Sequence, residues 1–268
     1  GKCYDALRDG AVDFVGGSSH SAPTAFSEWK GVKFLGALAQ HTYWFLIMRA
    51  DLNVKRGDVA AVKGKRIGAA PLIDIGLIEL LKEYGIDPKR DGVQIAPPPM
   101  PANPAGVSFG VNAAKAMEEG KIDGFWANGM GAEVAVKRGL GTMVLDARRG
   151  DGPASLRGYT FGVLATRAEL VEKEPEKAKG ALRALIKTQK ALKADPSIAT
   201  KVGEKWFPPY EASLIATLIE RDLPYYDPTI TKETFDKMCK FVQTTGLAKG
   251  LGKYEDVVAT QFSDLWKS

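Results

Sequence analysis

A short pattern that occurs twice is the feature that most constrains the fold of this chain. Residues 116–126 are predicted to end a helix, turn at a glycine and begin a strand, because Gly120 suits the left-handed residue that closes a helix. Residues 6–15 repeat this pattern around Gly10. In each copy an aspartate follows three residues after the glycine, and the strand then runs into a loop of small residues. These aspartates are Asp13 and Asp123.

A second pair of similar segments follows the first. Residues 43–52 and residues 159–170 both read as a strand that enters a helix or a turn. Two similar halves with a strand after each predict a structural repeat of two α/β lobes that are joined by two crossing strands.

The order of elements predicts an α/β fold with parallel-rich sheets flanked by helices. Strands alternate with helices as far as residue 166, and the remainder is predicted to be helical. Predicted strands cover 12–15, 32–38, 43–48, 66–70, 93–96, 122–127, 142–146 and 159–166. Predicted helices cover 23–28, 75–84, 109–119, 131–138, 175–194, 197–206, 210–221, 231–245 and 254–266. A stiff extended loop is predicted for the proline run at 97–104.

Composition and charge exclude several classes of protein. The chain has 268 residues, 45% of them apolar and 26% charged, which is an ordinary globular balance for two domains or one large one. Its longest apolar run is much shorter than the roughly 20 residues that span a bilayer. The net charge of +5 comes mainly from lysines on predicted helix faces, so no nucleic-acid partner is predicted.

Known catalytic and cofactor motifs are absent or lie in the wrong context. The segment 106–110 matches the nucleophile pattern G-x-S-x-G, but prolines precede it and no histidine follows it. Phosphate-binding, dinucleotide-binding and metal-binding spacings are not found. Cys3 and Cys239 are far apart, and either two inert thiols or, in a secreted protein, a disulfide fits them. We therefore predict no catalytic residue, no metal and no cofactor.

The loops at the carboxyl ends of the predicted strands remain as the candidate ligand site, since open α/β sheets bind ligands there. They combine hydrogen-bonding and apolar side chains, as small-molecule pockets do. The predicted ligand-binding residues are Ser18, Ser19, His20, Gln40, His41, Leu72, Ile73, Trp126 and Asn128. Nearby candidates are Thr42, Pro71, Met130 and residues 97–100.

Each of these residues also has a purely structural interpretation. The serines suit a helix cap, the histidines suit loops in which they bond to backbone, and Trp126 suits a core. Arg148 and Arg149 are expected to be solvated, with pairing to an anion as the alternative.

Several motifs in their order resemble the substrate-binding proteins of ABC importers in the nitrate/sulfonate/taurine class, which are SsuA-like and grouped with the NMT1/THI5-like proteins. The resemblance covers residue 6 to about residue 195. The motifs are A-L-x-x-G-x-x-D at 6–13, G-G-S at 16–18, V-K-G-K-R-I-G at 62–68, L-L-K-E-Y-G-I-D-P at 80–88 and A-M-E-E-G-K-I-D at 116–123.

This resemblance implies a two-lobe periplasmic binding protein-like fold of type II, in which two hinge strands let the lobes close on a ligand. Lobe one would comprise residues 1–45 and 160–268, and lobe two residues 46–159. The family's first strand is expected before the helix that ends at residues 4–10, so the sequence is interpreted as truncated. The resemblance also implies a small-molecule ligand, an ABC permease with its ATPase as partners, and a monomer in the periplasm or anchored by lipid outside the cytoplasmic membrane.

One turn departs from the family pattern. Many relatives have glycine and serine or threonine where the first helix of lobe two begins, and backbone N–H groups there hold an anion. This chain has Ala-Pro-Leu-Ile-Asp at 70–74, which argues against a small inorganic or sulfonate anion at that position. An aromatic or apolar carboxylate is predicted instead, meeting Ser18, Ser19 or His41. The alternatives are an enzyme on the same fold, THI5-like or menaquinone-pathway-like, and a ligand-sensing domain.

Overall fold

The computed structural model describes residues 2–99 and 108–268, and the predicted proline loop lies partly outside these residues. The strands are β1 Phe14–Ser18, β2 Val32–Ala39, β3 Phe45–Arg49, β4 Arg66–Ala69, β5 Gln94–Ala96, β6 Gly124–Ala127, β7 Gly141–Asp146 and β8 Gly162–Arg167. The helices are α1 Lys2–Arg8, α2 Asp74–Glu83, α3 Phe109–Glu118, α4 Gly129–Lys137, α5 Ala168–Lys173, α6 Pro175–Ala194, α7 Ile198–Gly203, α8 Pro209–Asp222, α9 Lys232–Thr244 and α10 Tyr254–Val257.

Two predicted helices are replaced by tighter turns. The segment predicted as a helix at 23–28 forms the 3-10 turns Ser19–Thr24 and Ser27–Trp29. Pro23 lacks an N–H for a longer helix, and Glu28 and Trp29 have positive φ angles. In the predicted helix 254–266, α10 ends at Val257 and a 3-10 helix follows over Thr260–Lys267.

The described chain divides into two compact units. Unit 1 comprises residues 1–42, 157–195 and 222–268, and unit 2 comprises residues 43–156 and 196–221. Unit 1 contains the sheet β1-β8-β2, and unit 2 contains the sheet β5-β4-β6-β3-β7. The two units are groups of residues that contact one another, whereas the predicted lobes are parts of the chain that are expected to move as bodies. The units therefore do not test the predicted lobe boundaries, which stay a prediction.

The α/β fold is confirmed, but the sheet of unit 1 is antiparallel and that of unit 2 is mixed, so parallel pairing does not predominate as predicted. In unit 1, β1 and β2 both pair antiparallel with β8. In unit 2, β4 is parallel to β5 and β6, but β3 is antiparallel to β6 and β7. Parallel neighbours need a long crossover, usually a helix. β3 and β8 enter their sheets without a helix before them, so helix–strand alternation does not set their direction.

Both copies of the repeat have the same helix ending. Gly10 and Gly120 have φ angles of 76° and 70°. The N–H of Ala11 donates to the carbonyl of Ala6 at 2.9 Å, and that of Lys121 donates to Ala116 at 2.9 Å. This is the six-to-one bond of a helix closed by a left-handed residue. It directs each chain from a helix into a strand, β1 or β6.

Unit 1 has apolar cores on both faces of its sheet. Consecutive residues of β2 alternate between the faces. Phe34 packs among aromatic rings with Trp29, Phe161 and Phe235. Leu35 belongs to a second cluster that α5 and α6 cover.

Unit 2 is held together by a close contact between α3 and α4. A Cβ on Gly131 would lie 2.4 Å from the Cα of Gly110, so only glycines allow this approach. The contact also explains the G-x-S-x-G match. Ser108 is the N-cap of α3, its Oγ accepting from the N–H of Val111 at 3.2 Å, and Gly110 is a packing residue.

Candidate functional site

In unit 1 the ends of β1 and β2 meet at the start of β8. Ser18 and Ala39 are both aligned with Gly162. The loops that follow the two strands, residues 18–20 and 40–42, therefore lie at the same edge of the sheet. The structure thus brings together the five predicted site residues of unit 1.

A buried hydroxyl cluster organises this edge around Thr160. Its Oγ1 lies 3.2 Å from Ser19 Oγ and 2.8 Å from His20 Nδ1. Ser19 Oγ also accepts from the N–H of Phe161 at 3.1 Å. Ser19 and His20 are fully buried, so in this conformation both side chains lie in the interior, where they contact Thr160 and not the surface of the edge. Their predicted contact with a ligand stays a prediction.

Three predicted residues of this edge are partly exposed. Ser18 is at the N-cap position of a 3-10 turn but its side chain makes no capping bond, so the structural alternative of a helix cap does not describe it. Gln40 Nε2 donates to the carbonyls of Asp227 and Thr229 at 2.8 and 2.7 Å. His41 has a φ of 62°, a strained angle for a residue with a Cβ, and its ring meets the edge of Tyr225.

In unit 2 the ends of β4 and β6 meet at the start of β3. Ala69 pairs with Trp126, and Ala127 pairs with Phe45. The turn after Ala69 and the loop after Ala127 therefore share one edge of the sheet. These two segments contain Leu72, Ile73 and Asn128, and the fourth predicted residue of unit 2, Trp126, lies within β6 just before the loop.

Trp126 lies beneath this edge. Its ring is fully buried and packs 5.8 Å from the ring of Trp44 at a tilt of 59°. Trp44 in turn fills the space where a Cβ on Gly76 of α2 would stand, at 2.1 Å. Among residues 2–99 and 108–268 the indole N–H of Trp126 finds no hydrogen-bond acceptor. Direct contact of Trp126 with a ligand stays a prediction, because this conformation exposes none of the ring.

In the turn at the start of α2, a side chain of the helix itself accepts a hydrogen bond from the helix backbone. Leu72 has a φ of 71°, which is strained for a bulky side chain, and Ile73 is the N-cap. Asp74 Oδ1 accepts from the N–H of Ile75 at 2.9 Å, so a carboxylate of the protein already occupies the first turn. An anion would be repelled there, in agreement with the reasoning from the sequence.

Asn128 stands at the N-cap position of α4 and is exposed, without a capping bond from its side chain. Met130 follows in the first turn and is partly buried. Of the predicted segment 97–100, Pro99 accepts from Asn112 Nδ2 at 3.0 Å, and residue 100 lies outside the described residues.

Arg148 is buried and Arg149 is partly buried, which corrects the expectation that both arginines after β7 are solvated. Arg148 is 4% exposed, and its guanidinium lies 5.5 Å from the ring centroid of Tyr43. Arg149 Nη1 pairs with Asp146 at 3.0 Å, and its Nη2 donates to the carbonyl of Arg221. Arg221 comes from α8, and sequence reasoning missed it because only the tertiary structure brings the end of that helix to this edge.

The two cysteines lie in different environments. Both cysteines are free, Cys3 exposed and Cys239 buried. Burial raises the pKa of the Cys239 thiol to about 12, so it stays protonated and unreactive at neutral pH. Within residues 2–99 and 108–268, no group of three His, Cys, Asp or Glu side chains is arranged to hold a metal ion.

The chain belongs to the NMT1/THI5-like family, whose sequence profile matches residues 3–199. The resemblance inferred from the motifs is thereby confirmed. A comparison with curated protein sequences found no match.

Solved structures of periplasmic binding proteins share the fold. A putative periplasmic sulfonate-binding protein, SsuA from Methylobacillus flagellatus KT, matches with a TM-score of 0.68 and 16% identity over 98% of this chain and 77% of its own. The aliphatic sulphonate-binding SsuA of Escherichia coli matches with a TM-score of 0.67 and 14% identity over 95% and 78%. The fold of this chain is therefore that of the periplasmic binding proteins.

An enzyme shares the same fold. A mutant of DszB, solved in complex with biphenyl-2-sulfinic acid, matches with a TM-score of 0.66 and 13% identity over 98% of this chain and 88% of its own. DszB is described as a desulfurization enzyme.

In residues 2–99 and 108–268, none of the helices combines the length and the apolar composition of a membrane span.

Proposed function

We propose that this protein is the solute-binding receptor of an ABC importer, and that it captures a small organic ligand with the strand-end loops of its two units. The observation that carries the proposal is the convergence of polar and aromatic residues at one sheet edge within each unit. Membership of the NMT1/THI5-like family and the fold shared with sulfonate-binding receptors support it.

The ligand contacts proposed in unit 1 are Ser18, Gln40 and His41. Ser19 and His20 lie beneath them and hold the edge through their contacts with Thr160. In unit 2 they are Leu72, Ile73, Trp126 and Asn128. An aromatic or apolar carboxylate suits these walls better than an inorganic anion, because Asp74 occupies the start of α2. Closure of the lobes on the ligand follows from the hinged fold that the family implies.

A receptor of this kind works outside the cytoplasmic membrane, free in the periplasm or held by a lipid anchor. Its partners are an ABC permease and the ATPase of that permease, and we propose that it acts as a monomer. Co-purification with the permease in the presence of ligand tests this arrangement.

Thermal denaturation against a panel of aromatic and aliphatic acids, sulfonates and pyrimidines tests the function. A ligand at about a hundred times its dissociation constant should add roughly 2.7 kcal/mol of stability. For a chain of this size the melting temperature should rise by about 5 to 10 °C. Each compound that binds is then recovered and analysed by mass spectrometry, and unchanged compound is the expected result.

The alternative is an enzyme on the same fold, and the structural likeness to DszB is the observation that favours it. A compound recovered in altered form would replace the receptor proposal with this one. Altered product would be expected to accumulate with time and with protein concentration, whereas a receptor returns its ligand unchanged.

A further inference from the structure

Three arginines lie at one edge of the sheet of unit 2. Arg148 and Arg149 directly follow β7, and the last residue of β7, Asp146, is aligned with Phe45 at the start of β3. Arg221, near the end of α8, places its guanidinium 4.8 Å from the centroid of the Phe45 ring. Two segments that are distant in sequence therefore bring guanidinium groups to the same place. We call Arg148, Arg149 and Arg221 the arginine edge.

Aromatic rings hold two of these groups in position. Arg148 lies over Tyr43 and Arg221 over Phe45, both within the range of cation–π attraction. The bond from Arg149 Nη2 to the carbonyl of Arg221 joins the loop after β7 to α8. Side chains fixed in this way lose little further entropy when they bind an oxyanion.

The first turn of α4 lies against Arg221. A Cβ on Gly129 would be only 2.9 Å from Arg221 Nη2, so a glycine lets the guanidinium approach the helix backbone. The helix dipole adds partial positive charge at this end of α4. Arg221 Nη1 also lies 3.2 Å from Glu133 Oε2, and these side chains are 20% and 11% exposed. A carboxylate of the protein thus already uses this arginine as an anion partner.

The other end of the unit 2 edge is unsuited to an anion. At the start of α2 the carboxylate of Asp74 accepts from the helix backbone, and Pro71 lacks an N–H. Arginine is the residue best suited to planar or tetrahedral oxyanions, because its fixed fork of donors matches their oxygens. The arginine edge is therefore the better suited part of this sheet edge for an anion, although Arg149 already pairs with Asp146 and Arg221 with Glu133.

We propose that the arginine edge binds the acidic group of the ligand, with Arg221 as its principal partner, and that the ligand is an organic carboxylate or sulfonate. This inference rests on the proposed receptor function and specifies its ligand class. It assigns the acidic group to unit 2, where the sequence had suggested Ser18, Ser19 or His41 of unit 1. Glu133 then competes with the ligand for Arg221.

Calorimetric titration of the full chain with benzoate, benzenesulfonate and neutral benzamide tests the inference. All three probes contain a benzene ring, but benzoate and benzenesulfonate are anions and benzamide is neutral. Arg221→Gln is expected to weaken binding of the anionic probes by at least tenfold and to leave benzamide unchanged, and Arg221→Lys should fall between. The control is Arg138→Gln in the same unit, because Arg138 pairs with Glu118 at 2.6 Å on the surface. It should bind all three probes as the wild type does.

A second variant separates ligand binding from folding. Glu133→Gln removes the competing carboxylate and keeps Arg221, so it should tighten binding of the anionic probes severalfold, an effect that a merely structural Arg221 would not produce. Circular dichroism would show that each variant is folded at the titration temperature.

Three results would overturn the inference. One is equal loss of all three probes in Arg221→Gln, and another is weaker anion binding in Glu133→Gln. The third is wild-type protein that binds neither anion, whether or not it binds benzamide, which would leave the receptor function standing. Recovery of a chemically altered probe would instead count against the receptor function itself.

Discussion

Asp13 Oδ1 lies 3.0 Å from Arg167 Nη2 in unit 1, and this ion pair has a counterpart in unit 2. There Asp123 Oδ1 lies 3.7 Å from Arg49 Nη1. Each aspartate directly precedes a strand, β1 in unit 1 and β6 in unit 2. It lies beside the last residue of the antiparallel neighbouring strand, which is β8 in unit 1 and β3 in unit 2. The two patterns that repeat in the sequence thus meet each other in the same register in both units.

Replacing Asp123 with Asn is expected to destabilise the protein. The carboxylate accepts from the backbone N–H, Nε and Nη2 of Arg66 at 2.9, 3.0 and 2.8 Å. Loss of charged hydrogen bonds of this kind costs about 1.5 to 3 kcal/mol, measurable by urea denaturation at pH 7. Asp9→Asn is the control, since Asp9 pairs with Arg8 on the surface. Equal stability of the two variants would contradict the prediction.

The same carboxylate should make stability depend on acid. The hydrogen bond from Arg66 holds the pKa of Asp123 below its usual value of 3.8. A lowered pKa in the folded state means that this contribution is complete above the unfolded pKa, and that it falls as pH drops through the folded pKa. The difference in unfolding free energy between wild type and Asp123→Asn should therefore shrink below about pH 4. A difference that stays constant down to pH 2 would show that the charge of Asp123 is not responsible.

Gly131→Ala should be strongly destabilising because its new methyl group would meet the backbone of Gly110 at 2.4 Å. Backbone atoms cannot yield as a side-chain end can, and overpacking of this kind costs about 3 kcal/mol or more. Gly180→Ala in α6 is the matched control, since the nearest atom to its Cβ is 4.0 Å away. That change should be neutral or gain about 0.5 to 1 kcal/mol from helix propensity. Thermal unfolding of both variants measures the contrast, and a Gly131→Ala protein as stable as Gly180→Ala would refute it.

The two cysteines should differ widely in reactivity. Cys3 is exposed, whereas Cys239 is buried and its pKa is raised to about 12. A thiol reagent at pH 8 should modify one cysteine quickly in the native protein and both in denaturant, because the thiolate is the reactive form. Cys3→Ser should abolish the fast phase. Loss of that phase in Cys239→Ser instead would contradict the assignment.

Trp126→Ala is expected to weaken ligand binding more than tenfold, measured with a compound that binds the wild type. The buried ring packs against Trp44, so this change should also cost about 3 to 5 kcal/mol of stability. Trp126→Phe retains an aromatic ring and removes the indole N–H, which has no acceptor in the part of the chain that the structure describes. If the N–H binds the ligand, Phe should lose affinity while staying folded. Unchanged affinity in Trp126→Ala, tested below its melting temperature, would remove Trp126 from the site.

Much of the local structure was predictable from the sequence. The helix ends predicted at Gly10 and Gly120 are present, each glycine having a positive φ. Their signals are local, since a left-handed residue must be supplied by the chain itself. The loops at the strand ends were also found, because the sheet edge to which they belong follows from the order of elements.

The sequence by itself determined most of the helices and strands, their α/β class and the repeat centred on Gly10 and Gly120, because these depend on neighbours within a few residues. Only the tertiary structure decided that β3 and β8 run antiparallel, that Ser19 and His20 are buried beside Thr160, and that Arg221 lies next to Arg149. The physical reason is the range of the interactions. Strand direction, burial and the meeting of charges depend on residues far apart in the chain, such as Arg149 and Arg221, whose proximity no local pattern encodes.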